Sequence, residues 1–166
     1  MKPALRVRKR IAVVGPGEAD AGTCARAAEV GAQLAQRNAI LVCGGLGGCM
    51  AAAARAARGL GGTTVGILPG YDAAAANDGI EIPIATGLGE ARNVLVVASA
   101  DAVIAIGGAA GTLSEIAVAL KMGKRVVGLQ TWDIRAPDGS KPPILQARDA
   151  TEAVELALDD ALDLGA

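Results

Sequence analysis

Five residues in one stretch have the types and spacing that hold an anion: Gly107, Gly108 and Gly111, then Thr112, then Glu115. They follow Val103, Ile104 and Ile106, whose apolar run predicts a short buried strand, and they lead into a helix-period pattern that continues to Met122. The glycines free the backbone to turn tightly with its N–H groups facing outward, and Thr112 is expected to open the helix. A helix N-terminus carries unpaired N–H donors and a partial positive charge, so a strand, a glycine turn and a helix in that order make a phosphate site. Thr112 and Glu115 also stand in the S/T-x-x-E relation of a capping box, in which Glu115 would close back on the N-cap amide and meet no ligand. The local pattern leaves both roles open.

Two further glycine turns leave apolar runs. Gly15 and Gly17 follow a strand expected at Ile11 to Gly15, and Gly44, Gly45 and Gly47 follow one expected at Ile40 to Cys43. Each could serve only as a tight strand-to-helix connection. Three such turns at the carboxyl ends of strands, however, place a polyanion site on one rim of a sheet. No G-x-G-x-x-G and no G-x-x-x-x-G-K-[ST] pattern occurs, so the usual dinucleotide and P-loop classes fall away. Histidine is absent, which excludes a histidine base, a Ser-His-Asp triad and a histidine metal site. Cys24, Cys43 and Cys49 have no zinc spacing and are expected to be buried, reduced thiols, so no metal site is expected.

The elements that must position these loops alternate. After the first strand comes a helix from Thr23 to Arg37; after the second, a helix of small residues following Gly47. A third strand runs from Thr63 to Leu68, a loop from Tyr71 to Asn77, and an edge-type strand with a proline from Ile80 to Ile84. A helix from Glu90 to Ser99 then precedes the central stretch, followed by a strand from Arg125 to Leu129, a polar excursion through Pro142 and a terminal helix from Thr151. This alternation predicts an α/β three-layer Rossmann-like sandwich with a mostly parallel sheet. At 166 residues this is one domain, expected over residues 10–166, with residues 1–9 as a flexible basic arm.

Hydrophobic residues make up 52% of the chain and aromatic ones 1%, so the core must be aliphatic and tight. So much apolar surface points to helix faces buried against other subunits, a homo-dimer or homo-tetramer, with Val94 to Ala98 beside Ile116 to Leu120 as the expected face. Net charge is −1, against an electrostatic nucleic-acid binder. Lys2, Arg6, Arg8, Lys9 and Arg10 nonetheless crowd the start, and Glu152, Glu155, Asp159, Asp160 and Asp163 the end. The apolar run after the basic start is too short for a signal peptide, and four glycines break the uncharged run from Asn38 to Ala54, so no membrane span and a cytoplasmic location are expected.

Taken together, CGGLGGCM, VGILPG, TGLGEARN and SADAVIAIGGAAGTLSEIA resemble the Rossmann-like LOG superfamily, over roughly residues 10 to 160. They look most like its small bacterial branch, which is similar to the molybdenum-cofactor carrier protein. LOG enzymes are phosphoribohydrolases that cut a nucleoside 5′-monophosphate to base and ribose 5-phosphate. Their P-G-G-x-G-T-x-x-E signature falls on Gly107 to Glu115, and their arginine on Arg92. The resemblance implies that Arg92 would orient the sugar phosphate and Glu115 would polarise water or steady an oxocarbenium-like ribose. The chain departs from that pattern: Gly107 replaces the proline, Ala109 a glycine, and Asn93 the lysine after the arginine. These departures favour a binding or carrier protein for a phosphorylated heterocycle, a nucleotide or the molybdenum cofactor as cargo, with no cofactor required for chemistry; phosphoribohydrolase is the alternative. The "lysine decarboxylase" label often given to such proteins has no support, since Lys121 and Lys124 lie at the far end of their helix from the Gly107 turn.

Overall fold

The computed structural model describes residues 7–162. The strands and α-helices follow in the order β1 (Arg10–Val14), α1 (Ala21–Gln36), β2 (Ile40–Cys43), α2 (Gly48–Gly59), β3 (Thr64–Leu68), β4 (Ile82–Ala85), α3 (Arg92–Ala98), β5 (Ala102–Ile106), α4 (Ala110–Lys121), β6 (Arg125–Leu129), β7 (Ile144–Gln146) and α5 (Ala150–Leu158), alternating except at β3–β4 and β6–β7. Among the described residues the strands form one seven-stranded sheet in the order β4-β3-β2-β1-β5-β6-β7, and every pairing is parallel.

The centre of the sheet shows why its strands read as unbroken apolar runs. In β1, Ile11 and Val13 pack on the side of α1, α2 and α5, while Ala12 and Val14 pack on the side of α3 and α4. A parallel strand covered on both faces has no polar positions to alternate with. Ile104 and Ile106 of β5 are fully buried, each stabilising the fold by about 1.5–3 kcal/mol, so the Gly107 turn leaves from a fixed point. Buried alanines on α2, among them Ala53, Ala54 and Ala57, account for much of the small-residue content. Pro83 lies on β4 at the sheet edge, where its missing N–H costs no ladder bond.

Four local expectations change. The helix after the Gly107 turn begins at Ala110 with Ala109 as its N-cap, so Thr112 sits inside the first turn. The helix expected from Glu90 is a 3-10 turn over Gly89–Ala91 followed by α3. The polar excursion after β6 contains β7, a three-residue edge strand with too few apolar positions to show a period. Of the apolar face expected on α3 and α4, Val96, Val97, Ile116 and Ala119 belong to the protein's own core, leaving Val94, Leu95 and Ala98 at the surface.

Residues 1–6 of the expected basic arm, and Asp163 of the acidic end, lie outside the described residues. Arg8 is tied to the body: its guanidinium donates to the Asn38 carbonyl and the Thr63 hydroxyl, both at 3.0 Å. Lys9 pairs with Asp160 at 2.5 Å, so the basic start and the acidic end meet each other. Among the described residues no helix is long and apolar enough to cross a membrane, and no group of three or more Cys, Asp or Glu gathers to hold a metal.

Candidate functional site

The chain leaves β1 to one side through β2 and returns to its other side at β5, which makes the β1–β5 junction the switch point where parallel sheets bind ligands. A cavity of about 260 Å³ opens there. The β1–α1 loop supplies Gly15, Pro16 and Gly17, and the β2–α2 turn supplies Gly44 and Leu46. Glu90, Arg92 and Asn93 come from the start of α3, and Ala109, Gly111, Thr112 and Glu115 from the start of α4. The sheet thus brings together Gly15, Gly17, Gly44, Arg92, Gly111, Thr112 and Glu115 from separate segments. Gly45, Gly47, Gly107 and Gly108 shape the loops without lining the cavity.

Helix α4 enters without a cap. Ala109 has no side chain to offer, and the first N–H taken up is that of Leu113, which donates to the Ala109 carbonyl at 3.0 Å. The N–H groups of Ala110, Gly111 and Thr112 remain for another acceptor. No capping box forms, because Thr112 is not the N-cap and Glu115 does not reach back to one. By contrast α1 is capped, Asp20 accepting from the Thr23 N–H at 2.7 Å, so the turn holding Gly15 and Gly17 feeds a helix whose N-terminus is already satisfied.

Arg92 is 6% exposed, and its Nε–H has no partner. Among the described residues it makes neither an ion pair nor a hydrogen bond, so the surface salt bridge to Glu90 that its spacing allows does not form. The guanidinium lies against Gly44, where a Cβ would stand 1.9 Å from Nη1, and any larger residue at 44 would evict it. Thr112 Oγ1, 1% exposed, also lacks a partner. Leaving a guanidinium buried and unpaired costs on the order of several kcal/mol. Two buried side-chain groups without a partner and the uncapped start of α4 therefore border one cavity.

Glu115 is 7% exposed. Burial pushes its carboxyl up to about 7; Arg92 pulls it down in part, and Glu90 adds to the rise. All three cysteines are free, and burial pushes the Cys43 and Cys49 thiols up to about 11, which keeps those two protonated.

The turn that delivers α4 has its own braces. Gly107 takes φ +66, a value open to glycine and closed to the ring-locked proline of the LOG signature. Ala109, at φ −124, sits in ordinary extended geometry. Thr131 donates its hydroxyl to the Gly107 carbonyl at 2.5 Å, and Trp132 donates Nε1–H to the Ala109 carbonyl at 3.2 Å. Gly108 faces that indole, with a Cβ position 3.4 Å from Nε1. Asn77 neither covers the cavity nor stands idle in solvent; it pins the β2–α2 turn through Nδ2 to the Leu46 carbonyl at 2.7 Å. Trp132 and Asn77 carry no local sequence signal for these roles, since both act across long separations. A more open groove of about 450 Å³ between α1 and α5 is lined by Arg37, already paired with Glu155 at 3.4 Å.

A parallel Rossmann-like α/β protein with a cleft at its switch point is the class that these features define. Within it, the chain belongs to the SLOG cluster4 family, whose model matches residues 8–159. It is similar to an uncharacterised protein of Archaeoglobus fulgidus, 49% identical over 121 residues that span 73% of this chain and 80% of that one. Among solved structures, the molybdenum cofactor binding protein of Rippkaea orientalis superposes with a TM-score of 0.84 at 36% identity, covering 91% of this chain and 96% of that one. The molybdenum cofactor carrier protein of Chlamydomonas reinhardtii gives 0.77 at 34% identity, covering 89% and 94%.

The Glu115 carboxyl has a consequence for stability. Its folded value near 7 lies above the ordinary 4.5, so as pH rises between these values the unfolded chain ionises first and the folded state loses ground. The loss should total about 3 kcal/mol and be complete above pH ~7. Urea denaturation of the protein and of Glu115→Gln at acidic and mildly alkaline pH should show the variant gaining on the parent by roughly that amount. A difference that does not change with pH would contradict the assignment.

Proposed function

We propose that this protein binds and carries a phosphorylated heterocycle, with a nucleotide or the molybdenum cofactor as cargo. The observation that carries the proposal is the convergence of buried, partnerless Arg92 and Thr112 with the uncapped N-terminus of α4 on one cavity. Charge-assisted bonds from Arg92 and from backbone N–H groups at a helix N-terminus are the strong ways to hold a phosphate. At about 260 Å³ the cavity is small for a ligand pocket, so it encloses the phosphate and its adjoining group while the heterocycle rests at the mouth. The similarity to the Rippkaea molybdenum cofactor binding protein and the Chlamydomonas molybdenum cofactor carrier protein supports this reading. In this account the protein works in the cytoplasm and needs no cofactor of its own.

One observation favours a second reading, hydrolysis of a nucleoside 5′-monophosphate. Glu115 is buried beside an arginine and titrates near neutrality, as an acid or base at work should. Against it, Asn93 lines the cavity where LOG enzymes carry a lysine, and Gly107 gives the loop a bend that their proline cannot take. Incubation with AMP separates the two. The carrier reading predicts no ribose 5-phosphate above background; release that falls by a factor of roughly 10² in Glu115→Gln would establish the hydrolase instead. Material copurifying with the native protein should, by mass spectrometry, include a phosphate-bearing heterocycle.

We also propose self-association. Val94 and Leu95 on α3 are 41% and 38% exposed, and Ile82 and Ile84 on the edge strand are each 45% exposed. These two isoleucines pair beside Val65 and Ile67, on the same side of the sheet as α3. Together they leave an apolar face of the kind that a second copy covers. Light scattering at micromolar concentration should give a dimer or tetramer mass, and a monomer mass would refute it.

A further inference from the structure

Counting formal charge around the cavity raises a difficulty for any anion that enters. Its titratable lining consists of one guanidinium, Arg92, and two carboxyls, Glu90 and Glu115. With both carboxyls ionised the walls carry more negative than positive charge, and a phosphate would be pressed against the Glu115 carboxylate in a site with little water to screen them. Glu90 is exposed and can be screened; Glu115 is buried.

We infer that the cavity captures its anionic ligand together with one proton, which resides on Glu115. The inference rests on the anion-site reading above and adds to it the protonation state in which the site works. Protonated, Glu115 becomes an O–H donor that can meet a phosphate or sugar oxygen; ionised, it is an acceptor only and repels both. Its surroundings allow the change. Facing it are Arg92 and Glu90 from the segment that opens α3, and behind them the Cys43 thiol of β2, which burial keeps neutral. The β1 loop and α2 present only apolar and backbone groups. Burial already holds the carboxyl near the point of neutralisation, and an arriving anion pushes it the rest of the way. Cargo is then retained while the proton stays and is released when it leaves.

Ribose 5-phosphate is a suitable probe, because it has a phosphate and a sugar but no glycosidic bond to a base. Calorimetric titration of the full chain in two buffers of different ionisation enthalpy counts the protons taken up on binding. Near pH 7 the probe's own phosphate is mostly dianionic and contributes little, and by about pH 8.5 it contributes none. The parent should take up about half a proton near pH 7 and close to one at the upper end, with affinity falling up to about tenfold per pH unit. Glu115→Gln should take up none and show a flat profile. Binding without proton uptake by the parent, or uptake that persists in Glu115→Gln, overturns the inference and leaves the anion site standing. Failure of the parent to bind the probe at any pH removes the anion site itself and the inference with it. The proton count on the parent decides the matter even if the variant does not fold.

Discussion

A guanidinium buried without a counter-ion is the constraint on which the rest of the site depends. Arg92 is held under Gly44, away from water and from every described carboxylate close enough to pair. The nearby Glu115 carboxyl attracts it, but among the described residues no ion pair or hydrogen bond repays its desolvation. The same holds, more weakly, for the Thr112 hydroxyl and the first N–H groups of α4. In the function proposed here, an arriving anion relieves that electrostatic deficit.

The sheet makes that deficit tolerable. Seven parallel strands, the central ones covered on both faces, supply a rigid rim, and the loops on it are fastened to one another and to more distant parts of the chain. Thr131 and Trp132 hold the carbonyls of the β5–α4 turn, and Asn77 holds the β2–α2 turn. With those carbonyls engaged, the N–H groups at the start of α4 are left for a ligand. Preorganisation of this sort lowers the entropic cost of capture, which suits a protein that holds cargo as well as one that acts on it.

Much of this was legible in the chain itself. Apolar runs gave the central strands, because a strand buried on both faces has no other pattern to show, and Ile40 to Cys43 and Arg125 to Leu129 coincide with β2 and β6. The α/β alternation gave the layered parallel sheet. Less legible were the features decided across long separations. Whether Thr112 caps α4 depends on where the helix begins, and that is set by the bend at Gly107 and its bonds to the end of β6, not by the S/T-x-x-E spacing. Gly108 reads as a phosphate glycine yet faces Trp132. β7 is only three residues long and half-buried, so it has no periodicity to detect. The burial of Arg92 without a partner is invisible in sequence, since Glu90 stands close enough in the chain to suggest an ordinary surface pair.

The central claim is that an anion binds where Arg92 and the α4 N-terminus converge. A two-dimensional ¹H–¹⁵N titration of the labelled protein with AMP tests it at the level of single groups. The account predicts that the largest shifts fall on the backbone amides of Gly111 and Thr112 and on the Arg92 Nε–H, saturating together on one binding curve. Saturable binding with those three signals unmoved and the shifts gathered elsewhere, for instance around the groove between α1 and α5, would contradict it.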